Sequence, residues 1–340
     1  MPQIRMNLGE FHPANFPKLA KAAAVAMIMA ACFPASSLAQ QPGQRTFLSA
    51  QQATDALVAA TRNNDEKALL DILGRGGKQV ITSGDATEDA EGRANFVQRY
   101  QEMHRLVKEP DGTTVLYIGA HNWPCPIPLI EKGHAWYFDT ESGKREILYR
   151  RIGRNEISAI RVCQELVASE KEYSAVHKEY ARKIFSNQGQ QDGLYWRAAN
   201  GEPQSPIGPL VAAAAAAPQS FAQSQAAESH DASNLYRGYY FHILTGEKKK
   251  GGHAKSYLEN GKMTGGFAFV AYPAEYRSSG VMTFIVNEDG TIYEKDLGPK
   301  TESIARSMKE YNASSGWQKS EGQEQETAAE QTSQAQQSPQ

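Results

Sequence analysis

The residue types that most often carry chemistry are all present in this chain, but their spacing rarely matches a reaction. Histidines stand at His12, His104, His121, His134, His177, His230, His242 and His253. None lies in an H-E-x-x-H helix, and no C-x-x-C pair exists to hold a metal beside them. His242 and His253 could meet across a hairpin; two ordinary surface histidines is the simpler reading. No G-x-S-x-G elbow occurs, and Ser83-Gly84-Asp85 has no paired histidine to activate the serine. No metal site and no cofactor site is assigned.

Two glycine- and lysine-rich stretches resemble anion sites only in composition. Gly74-Arg75-Gly76-Gly77-Lys78 would need a strand before it and a helix directly after it to cradle a phosphate. Here a helix pattern precedes, and residues 79–82 read as a strand, so the glycines stop a helix. Lys248-Lys249-Lys250 reads as a solvated loop between strands. With a formal net charge of −2 and no basic stripe beside aromatic platforms, nucleic acid is not an expected partner.

The aromatic group Trp123, Trp136 and Tyr137, with the run Trp123-Pro124-Cys125-Pro126, is the best candidate lining for a ligand cavity. The competing reading is that these side chains fill a core. Asp85, His104 and Asp139 are the nominal acids or bases near it, and none is assigned a catalytic role.

These residues must be positioned by elements that the pattern supplies in order. A chain of 340 residues suits roughly two ordinary domains. Lys18 and Lys21, a short apolar run after them, and Ser37-Leu38-Ala39 describe a secretory signal peptide over residues 1–39. Its core of about a dozen residues is shorter than the ~20 that span a bilayer. The competing reading attaches lipid at Cys32, for which Met29 is a poor fit. No second apolar run follows, so no transmembrane segment is expected in the mature chain. In an oxidising compartment the remaining cysteines, Cys125 and Cys163, could pair; the alternative is two small buried hydrophobes.

Residues 46–152 form an expected α+β module. Ser49 with Gln52 three residues later opens one helix and Asp65 caps a second. Phe96, Tyr100, Met103 and Val107 mark one face of a third, over residues 88–108. Strands are expected at 113–119, 126–131, 134–139 and 145–151, the last two joined by a hairpin at 141–144. This order is similar to the cone-shaped fold of the nuclear-transport-factor-like superfamily, where a curved sheet wraps helices. A long helix follows over residues 153–186, then a partly anchored low-complexity connection at 187–236. Within the connection, Leu194-Tyr195-Trp196-Arg197 and residues 207–211 have the apolar mass to dock on a domain.

Residues 237–311 read as an antiparallel β module, followed by a disordered tail at 312–340. Asn260-Gly261 and Asp289-Gly290 provide hairpin turns. Phe267 to Tyr272 is apolar on both faces, as a doubly covered central strand must be. A short helix is expected at 302–311.

Several blocks resemble the bacterial family catalogued as domain of unknown function 2950. They are Gly153-Arg154-Asn155-Glu156, Asp192-Gly193-Leu194-Tyr195-Trp196, residues 203–211, Gly238-Tyr239-Tyr240-Phe241, residues 261–267, Pro273-Ala274-Glu275-Tyr276 and residues 281–286. The resemblance implies an exported bacterial protein and carries over no catalytic residue. The helix through residues 168–174, followed by a sheet ending near residues 287–292, is also similar to the globular part of type II pseudopilins. The long apolar assembly helix of those proteins is missing here.

The expected function is therefore a non-enzymatic, exported binding or envelope-associated protein, with another envelope protein or cell-surface component as partner. The alternative is a small-ligand binder or hydrolase using a cavity in the N-terminal module. Mass spectrometry of the exported protein is expected to find Gln40 as the first residue; an intact Met1 on the mature protein would contradict the signal peptide.

Overall fold

A Ser49 hydroxyl accepting the Gln52 amide at 3.1 Å starts the first helix, α1 (Ala50–Arg62), and the Gln52 side chain accepts the Leu48 amide in return. Such a cap contributes about 1 kcal/mol. Asp65 caps α2 (Glu66–Leu73) in the same way, through the Ala68 amide, and Gly74 at φ 74° ends it. The computed structural model describes residues 43–82, 86–187, 189–196, 205–207, 235–236, 238–248, 254–314 and 316–320. The expected signal peptide over residues 1–39 lies outside the described residues, as do 197–204 and 208–234 of the connection expected at 187–236 and 321–340 of the disordered tail expected at 312–340; within that tail, Gln318–Lys319 instead form a strand and Ser320 is buried. The fold is mixed α+β.

The chain divides into two compact units, Met1–Tyr149 and Arg150–Gln340. In the first, α3 (Lys78–Ile81) and α4 (Ala86–Glu102) follow α2, and a sheet runs β1-β2-β4-β5 with β3 added on β2. The strands are β1 (His104–Lys108), β2 (Thr114–Ile118), β3 (Trp123–Pro124), β4 (Leu129–Lys132) and β5 (Ala135–Phe138). Its paired strands are antiparallel. Two apolar clusters hold this unit: Phe47, Leu57, Leu69, Ile72, Leu129 and Phe138 form one, and Val58, Tyr100, Leu116, Ile118 and Cys125 the other.

Three expectations for this unit are corrected. Residues 79–82 are not a strand: Lys78–Ile81 is a helical turn continuing from a 3-10 turn at Arg75–Gly77. The third helix stops at Glu102, and Val107 lies in β1, paired with Val115. Its apparent helical spacing with Met103 was a coincidence of two elements meeting. Most consequentially, 141–151 is neither hairpin nor strand but the start of α5 (Thr140–His177). Asp139 caps that helix, accepting the Ser142 amide and hydroxyl. Gly143, read as a turn residue, is instead a contact residue: a Cβ there would sit 2.7 Å from Ile127 Cγ1.

The second unit begins within α5 and centres on a six-stranded sheet of order β16-β14-β13-β12-β7-β6. Its members are β6 (Leu235–Tyr236), β7 (Tyr239–Leu244), β12 (Ala268–Pro273), β13 (Met282–Asn287), β14 (Ile292–Asp296) and β16 (Gln318–Lys319). Smaller sheets hold β8 (Gly246–Lys248), β9 (Ala254–Ser256) and β15 (Glu310–Tyr311), and the hairpin β10 (Leu258–Glu259) with β11 (Lys262–Met263). As expected, β12 is central and buried throughout, antiparallel to β7 and β13. Asn260 and Gly261, at φ 52° and 80°, form the two-residue turn between β10 and β11. A helix α6 (Thr301–Ser307) packs on β12, and the chain then becomes β15 instead of continuing helical to residue 311.

The long helix also ends earlier than expected, at His177, because Lys178 adopts φ 61°. Tyr180 then bridges Met263, and Ala181 and Ile184 are buried. The apolar anchors predicted in the connection are found where they are described: Leu194 and Ile207 both enter the core. That core also takes Ile160, Cys163, Leu166 and Val167 from α5 and Phe267, Phe269 and Phe284 from the sheet.

Candidate functional site

Asn155 and Glu156, adjacent on α5, reach the loop that joins β12 to β13. The Asn155 side-chain amide donates to the Ser279 carbonyl at 2.8 Å. One oxygen of Glu156 accepts both the Val281 and Met282 amides, at 2.9 and 3.0 Å. The Tyr239 hydroxyl, at the start of β7, donates to the Met282 carbonyl at 2.9 Å and borders the same carboxyl. Within the loop, Ser279 Oγ accepts the Glu275 amide and donates to the Glu275 carbonyl, and the Arg277 amide donates to the Gly280 carbonyl. The Ala274 amide closes the other side on the Gly238 carbonyl.

Two glycines make this approach possible. A Cβ on Gly280 would overlap the Tyr239 hydroxyl and ring. Gly238 has φ 76°, and a Cβ there would meet Ser279 Cβ at 2.7 Å and Asn155 Nδ2 at 3.1 Å. Burial pushes the Glu156 carboxyl above its ordinary range, with Asp296 adding to the rise; the two backbone amides and Tyr239 pull it the other way. Burial likewise raises the Tyr239 hydroxyl, helped by the Glu156 charge. What this arrangement does is hold backbone. One oxygen of the Glu156 carboxyl is committed to the two backbone amides.

The sequence-predicted residues are placed elsewhere and are not gathered. Trp123 packs against the Val58–Leu116–Ile118 cluster, whereas Trp136 packs against the Phe47–Leu129 cluster and its backbone exchanges two hydrogen bonds with Phe47. Tyr137 is buried, and as the next strand residue it faces away from Trp136. Asp139 is the α5 cap, and His104 stacks on Tyr100 at 3.8 Å with Nδ1 2.9 Å from the Tyr100 carbonyl. Asp85 and His253 lie outside the described residues; His242 Nε2 is 3.2 Å from the Met308 carbonyl. Among the described residues no group of three His, Cys, Asp or Glu side chains could hold a metal. No helix among them is long and apolar enough to cross a membrane.

Of the two readings left open for Cys125 and Cys163, a pair or two small buried hydrophobes, the structure has the second. Both are buried thiols and neither is in a disulfide, each filling the core of its own unit. Burial pushes the Cys163 thiol up to about 12, which leaves it without a reactive thiolate near neutral pH.

The clamp joins four of the blocks singled out in the sequence: Asn155-Glu156, Gly238-Tyr239, the loop from Pro273 and the strand from Val281. The profile of the family described as "Protein of unknown function (DUF2950)" matches residues 44–320. The chain belongs to that family. No curated protein and no solved structure matches it. The family match begins and ends on buried residues. Gln44 is buried and donates to the Ile72 and Phe138 carbonyls, and Ser320 is buried with its hydroxyl on Glu294. What sequence reasoning missed is Glu156 as an anchor, since its partners stand 125 and 126 residues away; its presence in a family block was the one available signal.

Replacing Glu156 with Ala leaves two backbone amides without their acceptor, an expected loss of about 2–4 kcal/mol in urea unfolding of the second unit. Glu156→Gln keeps one acceptor oxygen and is expected to lose less. An alanine variant as stable as the parent would refute the clamp.

Proposed function

We propose that this DUF2950 member is exported and works as a non-enzymatic binding protein of the cell envelope, recognising another envelope protein or a surface component. The observation that carries the reading is the use to which the family blocks are put. Their polar groups converge on backbone of the β12–β13 loop, an arrangement suited to presenting a rigid surface and ill suited to turnover. The basic, apolar and small-residue segments before residue 40 support export.

A hydrolase or small-ligand cavity in the first unit has less support. Its aromatic candidates pack into separate apolar clusters, and Asp139 is spent on a helix cap. The deciding experiment cross-links the mature chain in intact cells and identifies adducts by mass spectrometry. One envelope component recovered reproducibly, and lost when the chain is retained in the cytoplasm by deleting residues 1–39, is the expected result. Adducts with cytoplasmic proteins only would overturn the reading.

A further inference from the structure

Glu170 is the most unusual ionisable group among the described residues. It lies on α5 between the apolar positions Val167 and Tyr173, and its relative exposure is 0 %. One carboxyl oxygen accepts the buried Ala181 amide at 2.8 Å, and the other has no hydrogen-bond partner. A fully buried carboxylate with one donor and no cation is costly, because water's solvation of the charge is not replaced. No Lys, Arg or His contributes to its electrostatics. The ionisable groups that face it are Tyr173, one turn along α5, and Tyr180, on the returning segment, both themselves raised by burial first. His177 stacks on Tyr173 at 4.1 Å, and Glu179 and Asp192 act on Tyr173 from the returning segment. All the nearby acids oppose a further negative charge.

The Ala181 amide belongs to a segment of irregular structure. After Lys178 turns the chain at φ 61°, residues 179–187 and 189–196 form a strap tied to the sheet by a bridge from Tyr180 to Met263 and closed on itself by bonds between Leu194 and Lys183 and between Tyr195 and Ile184. Ile184 and Leu194 supply the apolar anchors. The Glu170 bond to Ala181 is the buried side-chain link from helix α5 to this strap; a longer one runs from the Tyr173 hydroxyl to the Gln191 carbonyl at 3.5 Å.

We propose that Glu170 is a proton-operated latch: its neutral carboxyl holds this strap on helix α5, and loss of the proton releases it. The direction follows from linkage. Burial raises the carboxyl from 4.5 to about 8 when the strap is closed. An opened strap hydrates the group and restores its ordinary value. The closed state therefore binds the extra proton. Its advantage is complete below about pH 4.5, shrinks across the window from about 4.5 to about 8, and is gone above it.

The test is amide hydrogen exchange of the full-length chain and of Glu170→Gln, whose amide is the uncharged shape of the acid. Dividing parent protection factors by those of the variant removes the intrinsic pH dependence of exchange. For the amides of Ala181, Leu194 and Tyr195 this ratio is expected to fall roughly tenfold per pH unit between about 5 and 8, then level off, while that of Phe269 in β12 stays flat. A flat ratio at the strap would overturn the proposal, and so would an equal fall at Phe269, since the whole unit would then be opening. If Glu170→Gln does not fold, the parent's own strap-to-Phe269 protection ratio is read against pH beside the carboxyl carbon shift of Glu170. The latch predicts that the two titrate together, and independent titration would refute it.

Discussion

The Val281 and Met282 amides, where the chain enters β13, both donate to one oxygen of Glu156. Much of the second unit depends on that pair of bonds. They fix the register in which the β12–β13 loop returns to the sheet, and β12 and β13 are its most buried strands. They also tie the sheet to α5, whose stripe of Ile160, Cys163 and Val167 completes the same core. Hydrophobic burial gives this core its stability but no unique alignment, since apolar contacts are non-directional. A carboxyl in contact with two specific amides supplies the alignment, and Gly238 and Gly280 leave room for it.

Glu170, fourteen residues further along the same helix, shows the contrasting case. By helix geometry the two carboxyls stand about 21 Å apart. Glu156 meets two backbone donors and keeps partial contact with solvent, so burial and hydrogen bonding oppose each other there. Burial raises both carboxyls, but Glu170 meets one donor with no exposure, so less opposes it there. The same residue type on one helix thus serves as a fixed anchor at one position and a protonation-sensitive contact at the other. The number of amides each carboxyl can reach makes the difference.

Local rules made parts of this fold legible. The caps at Ser49 and Asp65, the Asn260-Gly261 turn and the doubly apolar β12 each depend on neighbours within a few residues or on a period that one strand displays. Elements decided by distant packing were misread. Gly143 looks like a hairpin glycine until Ile127 is seen against it, and Met103 and Val107 continue a helical spacing that the backbone abandons at Glu102. Glu170 sat in a short charged stretch, Glu170-Lys171-Glu172, that reads as a solvated break in the apolar stripe. Lys171 and Glu172 are exposed and Glu170 is not, a difference set by the returning strap and invisible in composition. The aromatic trio is not gathered for a related reason: adjacent strand positions face opposite ways, so Trp136 and Tyr137 point to opposite faces of β5.

A protein organised by backbone-holding carboxyls, with its family blocks spent on alignment, is understood best by asking how rigid the aligned loop is. Amide exchange at Val281 and Met282 in the native chain measures this directly. If Glu156 holds the β12–β13 junction in solution, both amides are protected to the level of the central β12 amides and open only with the whole unit. Exchange at the rate of an exposed turn would contradict the central role given to Glu156.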